Sequence, residues 1–437
     1  MTAKSAYNEV GRQDLLDCFF RLDYHKVVDS DPGEAEGGKP VFSNFAWSWL
    51  AHALPRAAWL PVLCAVVWTA IFLRTIPDLV RTPRLRPREA VRASPKDCGR
   101  VSVVVAARDE REHIGETLAS LMRQTYPDLE IIAVDDRSSD GTGDVIDRMA
   151  ATDARVIPVH VHELPRGWLG KNHALYAGAM RATGDWLLFA DADVRFYPDA
   201  IERAMAYVHA HRLHHLTVAP RLLASGYLLK LLTAMYIFNY VLFKRPQSAY
   251  RRRTRAHAGI GAFNLVSREA YERIGTHRAI SLRPDDDLHL GKLIKQRGFR
   301  QRFVVAQDMI EIEWYPNLRA MIVGMEKAPL PAFHYSAVLL TAAMALMMAL
   351  YTLPFAGLVF GPGWYRWIYA YALVLMGILY ELHAVFLRLP KHQFLILPVG
   401  MLLYSYAFIR SAVLAVRRGG LVWRDTFYTL RELRRGL

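Results

Sequence analysis

Two acidic groups in this chain have the composition and spacing for chemistry. Asp191-Ala192-Asp193 closes the apolar run WLLFA. Side chains alternate along an extended segment, so both carboxylates point to one side. Such hard oxygen ligands suit Mg²⁺ or Mn²⁺, which keeps waters and completes its shell with substrate phosphates. Alone, the tripeptide would equally describe a solvated turn. The second group, Asp285-Asp286-Asp287, opens RPDDDLHLGKLIKQRG. Three adjacent carboxylates repel one another, so some must be neutralised, paired or metal-bound. Asp is also favoured at helix N-termini, and the two readings are compatible. A helix start would hold Asp286 while Asp287 points into a site, where one carboxylate can serve as a general base.

Two glycine-containing segments add to these. In Gly167-Trp168-Leu169-Gly170-Lys171, backbone amides at a helix start stand beside a lysine, which makes an anion site or, more simply, a loop. In GIGAFNLVSREAY, Gly259 and Gly261 precede Phe263 and let the backbone approach a ligand closely. His209, His211, His214 and His215 cluster locally. No Cys or carboxylate stands at ligand spacing from them, so they read as structural.

The elements that carry these residues alternate. Val101–Ala106, with no polar alternation, has the pattern of a strand buried on both faces. Helical periodicity follows over Glu112–Gln124. Leu129–Val134 is a second strand ending in Asp135 and Asp136, and a helix with Val145, Ile146 and Met149 comes after it. Arg155–Val159, a helix over Asn172–Arg181 and the strand Trp186–Ala190 complete the series. Strands alternating with helices of this length predict an α/β domain with a mostly parallel sheet, over 99–330. Ligands bind beyond the carboxyl ends of such strands, where Asp109, Asp136 and Asp191 all fall.

Around this block lie apolar segments. The run 57–73 has no charge and is bracketed by Arg56 and Arg74. At ~1.5 Å per residue it just spans a hydrocarbon core. About three further segments fill 331–416, near Phe333–Phe360, Trp364–Leu387 and Phe394–Val416. A mixed, largely polar stretch of some 40 residues precedes the first segment, which argues against a signal peptide. A further apolar stretch, 226–243, carries Gly226, Lys230 and Thr233 at helical spacing and is expected to be an amphipathic helix on the membrane surface. It cannot cross the membrane, because the two acidic groups on either side of it must share one site.

Charge follows the same division. The chain carries +14, and the linker (within 74–98), the loop 244–255 and the tail 417–437 hold the basic excess, whereas the tail 1–56 is acidic at its start. A juxtamembrane basic excess marks the cytoplasmic side, placing the central block there, in a multi-pass protein of the cell (inner) membrane. Three full C-terminal crossings would then carry a basic tail to the outside, a conflict the sequence leaves open. The composition excludes intrinsic disorder. Three cysteines without CxxC spacing (Cys18, Cys64, Cys98) exclude a disulfide scaffold. The basic stretches serve a membrane, and no nucleic acid partner is expected.

Taken in order, VSVVVAARDEREHI, VDDRSSDGT, GWLGKNHAL, WLLFADADV, GIGAFNLVSREAY and DDDLHLGKLIKQRGFR resemble family-2 glycosyltransferases over about 99–327. The pattern is most similar to membrane-anchored bacterial members of the hopanoid-associated and ceramide type. The resemblance implies a GT-A fold. Asp109, Glu110 and Asp136 would contact the nucleoside of a nucleotide-sugar (UDP- or GDP-linked), and Lys171 its ribose or phosphates. Asp191 and Asp193 would hold the metal-diphosphate, and Asp287, paired with Asp286, would be the base of an inverting displacement. Gly261, Phe263, Arg251, Arg252 and Arg253 are expected on the acceptor and membrane side. The QxxRW motif of processive synthases is absent, and Glu313-Trp314 stands where many relatives have Arg before Tyr315. The expected function is transfer of a single sugar to a membrane lipid. A polyprenyl-phosphate transferase or polysaccharide synthase, and a scaffold or transport protein with an inactive domain, are the alternatives.

Overall fold

The computed structural model describes residues 59–85, 99–327, 329–423 and 426–435. The expected N-terminal tail 1–56, the start of the 57–73 segment and most of the basic linker lie outside the described residues.

The apolar strands build one seven-stranded sheet. Strands β1 (Val101–Ala107), β2 (Leu129–Asp136), β3 (Val156–Val161), β4 (Trp186–Asp191), β5 (Val194–Phe196), β6 (His215–Ala219), β7 (Arg221–Leu222), β8 (Asn264–Ser267), β9 (Gln301–Val305) and β10 (Ile310–Ile312) follow in chain order. The main sheet runs β3-β2-β1-β4-β8-β6-β9, with β5-β10-β7 as a small second sheet. β1 pairs in parallel with β2 and with β4, and β8 alone is antiparallel to its neighbours β4 and β6. Every residue of β1 is buried, as its unbroken Val/Ala run requires. β3 lies at the sheet edge and buries only its ends, which tolerates Pro158 where a ladder hydrogen bond is lost.

Helices cover both faces. α1 (Trp59–Val80) precedes the sheet, and α2 (Ile114–Met122), α3 (Thr142–Thr152) and α4 (Gly170–Arg181) connect its first strands. α5 (Tyr227–Asn239) and α6 (Asp286–Gln296) come later, followed by α7 (Ala337–Phe360), α8 (Tyr365–Leu387) and α9 (Leu397–Arg418). α1, α7, α8 and the segment ending in α9 are long and apolar enough to cross a membrane. Large apolar side chains such as Val66, Val338 and Trp367 stand exposed along them, as a lipid-facing surface requires.

Two expectations about these helices need correction. α1 continues past Arg74 and through Pro77 to Val80. The added turns bury Thr75, Asp78 and Leu79 against protein, which sustains the helix beyond its charge-free run. The stretch 226–243 is helical only to Asn239, then passes into a π-type turn over Tyr240–Lys244. It is not a surface amphipathic helix. Leu229, Leu231, Leu232, Met235 and Phe238 are buried, Thr233 is buried while Lys230 is exposed, and so no polar face exists. Phe238 packs edge-on against Tyr351 of α7 and Tyr380 of α8.

α9 and the tail pack back onto elements next to the sheet domain. A Cβ on Gly400, near the start of α9, would meet Leu231 of α5 at 3.1 Å. At its other end Arg418 pairs with Glu326 at 3.1 Å, and Arg410 pairs with the same carboxylate at 2.5 Å. Both ends of α9 therefore touch elements next to the sheet domain. The tail then forms a hairpin, Gly420–Trp423 with Thr426–Thr429. Its Tyr428 hydroxyl lies near the Gly170 backbone.

Candidate active site

The carboxyl ends of β1, β2 and β4 lie side by side in the sheet. β4 ends in Asp191, and β5 begins immediately after Asp193. Asp285 caps the start of α6, so Asp286 and Asp287 fill its first turn. Lys171, in the first turn of α4, joins the two acidic groups. Its Nζ lies 2.7 Å from Asp191 Oδ1 and 3.7 Å from Asp286 Oδ2. A narrow cleft is lined by Lys171, Asp191, Gly261, Asn264, His277, Asp286 and Asp287, with apolar residues at its back.

Glycines allow the close approach. A Cβ on Gly261 would stand 2.5 Å from Asp191 Oδ2, and Asp191 N–H donates to the Gly261 carbonyl at 3.0 Å. A Cβ on Gly259 would overlap the Asp287 carbonyl. Both glycines therefore line the carboxylate end of the site, close to backbone as their sequence context suggested.

Electrostatics divides the carboxylates by role. Burial pushes Asp287 up to about 7, and the neighbouring Asp286 charge adds to it. Burial raises Asp286 as well, with Lys171 offsetting part of the shift. Asp285 goes the other way. Burial opposes its ionisation, but hydrogen bonding to His289 and the Arg283 guanidinium outweigh this and hold it below the usual range. Lys171 stays firmly charged, because Asp191, Asp286 and Asp287 outweigh its own burial. Burial, then the charges of Asp191 and Glu110, push Asp193 up to about 7.

That last shift bears on a metal. Asp191 and Asp193 carry oxygen donors whose mutual repulsion a divalent cation would relieve, so these residues fit Mg²⁺ or Mn²⁺. Among the described residues no group of three His, Cys, Asp or Glu side chains converges. The protein would supply two ligands and leave the remaining positions to water and substrate oxygens.

The residues expected at the nucleoside are placed more loosely. Asp109 adopts a left-handed backbone (φ 53°), and its Oδ1 accepts the Ser139 N–H at 2.8 Å, tying the loop after β1 to the loop after β2. The Glu110 backbone N–H donates to Thr142 Oγ1 at 2.9 Å, while its carboxylate acts on Asp193. Asp136 is wholly buried, paired with Arg137 at 2.9 Å, and a Cβ on Gly170 would come within 2.7 Å of it.

One acceptor-side expectation is corrected. Phe263 is fully buried and packs 6.2 Å from Phe196 in the core under the sheet, so it cannot touch an acceptor. Arg251 is bound to the buried Asp78 at 2.6 Å, because that carboxylate needs a partner inside the protein. Arg252 and Arg253 are exposed. The histidine cluster holds no metal site among the described residues. His215 is buried against Asn264 at 2.5 Å, and burial lowers it to about 4.

Residues the sequence did not single out complete the site. His277 is buried, hydrogen-bonded to the Tyr271 hydroxyl at 2.8 Å, and lowered to about 3 by burial and by Lys171. Tyr236 packs against Trp314 at 4.8 Å, and Trp314 against Tyr315 at 5.2 Å. The odd pair Glu313-Trp314 in the sequence was the one available signal for this wall. Asn264 had none beyond its place in GIGAFN.

Residues 102–275 match the model of Glycosyl transferase family 2. The chain carries a family-2 glycosyltransferase domain. A 4,4'-diaponeurosporenoate glycosyltransferase of Staphylococcus aureus is 29% identical to it over 184 residues, 41% of this chain and 47% of that protein. TuaG of Bacillus subtilis is 32% identical over 108 residues, 25% of this chain and 41% of that protein. The chain spans somewhat less than half the length of these curated relatives. Among solved structures, a mannosyltransferase from Pyrobaculum calidifontis in complex with GDP-Man and Mn²⁺ aligns at 20% identity and a TM-score of 0.47, covering 84% of this chain and 98% of that one. The matched residues hold most of the mostly parallel α/β sheet, with acidic groups at its strand ends.

Proposed function

We propose that the chain transfers one sugar from a nucleotide-linked donor, UDP or GDP, to a hydroxyl of a membrane lipid. The observation that carries this reading is the meeting of Asp191, Asp286 and Asp287 around Lys171. It brings a cation-binding pair, a fixed positive charge and a candidate base with a near-neutral pKa into one cleft.

The chemistry assigned to these groups is a single inverting displacement. The acceptor oxygen attacks the anomeric carbon, Asp287 takes its proton, and the bond to the diphosphate breaks. Asp287 suits this task because its raised pKa makes it a stronger base while leaving about half of it ionised near pH 7. Lys171 offsets negative charge on the departing diphosphate and steadies Asp286. Asp191 and Asp193 would hold a divalent cation, which when bound neutralises the diphosphate charge. Asp109 and Glu110 are assigned to the nucleoside end of the donor, and Asp136, wholly buried, is assigned to the same end through the Arg137 guanidinium that it positions.

The lipid acceptor is supported by the wall opposite the base. Tyr236 stands close enough to Asp287 and Asp285 for their charges, with burial as the larger cause, to push its hydroxyl up to about 12. The same Tyr236 ring packs 6.3 Å from Tyr404 of α9, so the apolar helices begin where the carboxylates end. A relative that glycosylates 4,4'-diaponeurosporenoate supports the same acceptor class. We assign the domain and its tail to the cytoplasmic face, with α1 as one crossing and α7–α8 as an out-and-back pair. This leaves α9 on the catalytic side and removes the conflict of a basic tail outside. Mass spectrometry of membrane lipids tests the acceptor. Cells with the wild-type chain should contain a sugar-bearing lipid that is lost with Asp191→Ala, and no such difference would overturn the reading.

A further inference from the structure

The end of α1 holds a carboxylate that the chemistry above does not use. Asp78 is wholly buried, and both its oxygens are filled from one distant loop. Oδ1 takes the Tyr250 hydroxyl at 3.0 Å and Arg251 Nε at 2.6 Å. Oδ2 takes the Ser248 hydroxyl at 2.5 Å and Arg245 Nη2 at 3.2 Å. A buried carboxylate is tolerated only when it is paired and hydrogen-bonded, and here all four partners lie within residues 245–251. Arg245 enters that loop in a left-handed conformation (φ 55°) that a β-carbon disfavours, so its bond to Asp78 also fixes the turn.

The loop is held from the catalytic side too. Lys295 of α6 donates to the carbonyls of Ala249 and Arg251, both at 2.6 Å. Further along, the Ala258 N–H donates to Gln301 Oε1 at 3.0 Å. The next residues are Gly259, pressed on the Asp287 carbonyl, and Gly261, pressed on the Asp191 carboxylate. One segment therefore runs from the end of a candidate membrane span to the backbone of both acidic groups.

We infer that Asp78 is a positioning residue: it anchors 245–251 so that 258–261 keep Asp191 and Asp287 in register. Small displacements of reacting groups cost large factors in rate, so slack in this loop is felt in turnover. The catalytic half of the inference rests on the glycosyl-transfer reading, and the anchoring half does not.

The test uses the full chain in phosphatidylcholine vesicles, as wild type, Asp78→Asn and the milder Ser248→Ala. Backbone amide exchange is measured alongside hydrolysis of GDP-mannose and UDP-glucose with Mn²⁺. In Asp78→Asn, exchange over 258–263 should accelerate at least tenfold while 101–107 stays protected. Turnover per folded molecule should fall at least tenfold, with the donor KM within twofold. Ser248→Ala should show the same local pattern at about threefold, and it carries the comparison if Asp78→Asn loses protection throughout. Unchanged exchange over 258–263 would overturn the anchoring. Faster local exchange with unchanged turnover would overturn the positioning. If wild type turned over neither donor, the transfer reading would fail while the exchange comparison still decided the anchor.

Discussion

Lys171 Nζ lies 2.7 Å from Asp191 Oδ1 across 20 residues of sequence, tying the start of α4 to the end of β4. Without it, Asp191, Asp286 and Asp287 would share a cleft with no fixed positive charge at its centre. Lys171→Met should lower donor turnover by about 10²–10³, the usual cost of removing one preorganised electrostatic group. Steady-state hydrolysis of GDP-mannose and UDP-glucose with Mn²⁺ checks this. Retained turnover with tighter Mn²⁺ binding would mean that the lysine merely holds the place of the cation.

The raised Asp287 pKa sets a pH profile. A base must be ionised, so kcat should climb as pH rises through about 7. Turnover at pH 6 should be about a tenth of that at pH 8 for a single group titrating there. Asp286 is a secondary cause of the shift, after burial, so Asp286→Asn should move the rising limb to lower pH. A limb that stays in place would show that another group titrates.

Stability has its own pH signature. His215 and His277 are lowered to about 4 and about 3, so the folded chain keeps them neutral while the unfolded chain protonates them near 6.5. The unfolded state then binds more protons below pH 6.5, and stability falls with pH by about 1.4 kcal/mol per unit for each group. Asp193 and Asp287, raised to about 7, act in the opposite sense, because the folded chain protonates them first. The histidine contribution is therefore read by difference. The thermal midpoint of His215→Asn should fall less steeply than that of wild type between pH 6.5 and 4. Parallel curves would contradict the buried neutral histidine.

The placement of α9 yields a topological prediction. Its two ends meet Leu231 and Glu326, and the following hairpin reaches Gly170. A cysteine at Arg431 should therefore label from the same side of a sealed membrane as one at Arg181, both exposed positions. Membrane-impermeant maleimide, in a chain with Cys18, Cys64 and Cys98 replaced, reads the sidedness. Labelling from opposite sides would show that α9 crosses.

The parts legible in the sequence were those with a local pattern. VSVVVA read as a doubly buried strand and WLLFA as a strand because each residue reports its own burial, and the acidic groups at the strand ends followed from strand polarity. Asp286 and Asp287 were found because they are adjacent. Asp78 was not, since its partners lie roughly 170 residues away and nothing periodic links them. Phe263 was misassigned for a related reason. A glycine-rich approach suggests exposure, yet the fold turns Phe263 into the core. The stretch 226–243 was read as amphipathic from Gly226, Lys230 and Thr233, whereas tertiary packing from α7, α8 and α9 covers most of its surface.

The central claim is that one site, built from Asp191, Lys171 and Asp287, activates a nucleotide-sugar for attack. The most direct measurement compares Mn²⁺-dependent turnover of GDP-mannose and UDP-glucose by the full wild-type chain in vesicles with that of Asp287→Asn and Asp191→Ala. Wild type should turn over one of the donors. Asp287→Asn should lose at least about 10²-fold in kcat with donor KM little changed, as removal of a general base requires. Asp191→Ala should lose both turnover and the response to Mn²⁺. Equal turnover in wild type and both variants would contradict the account.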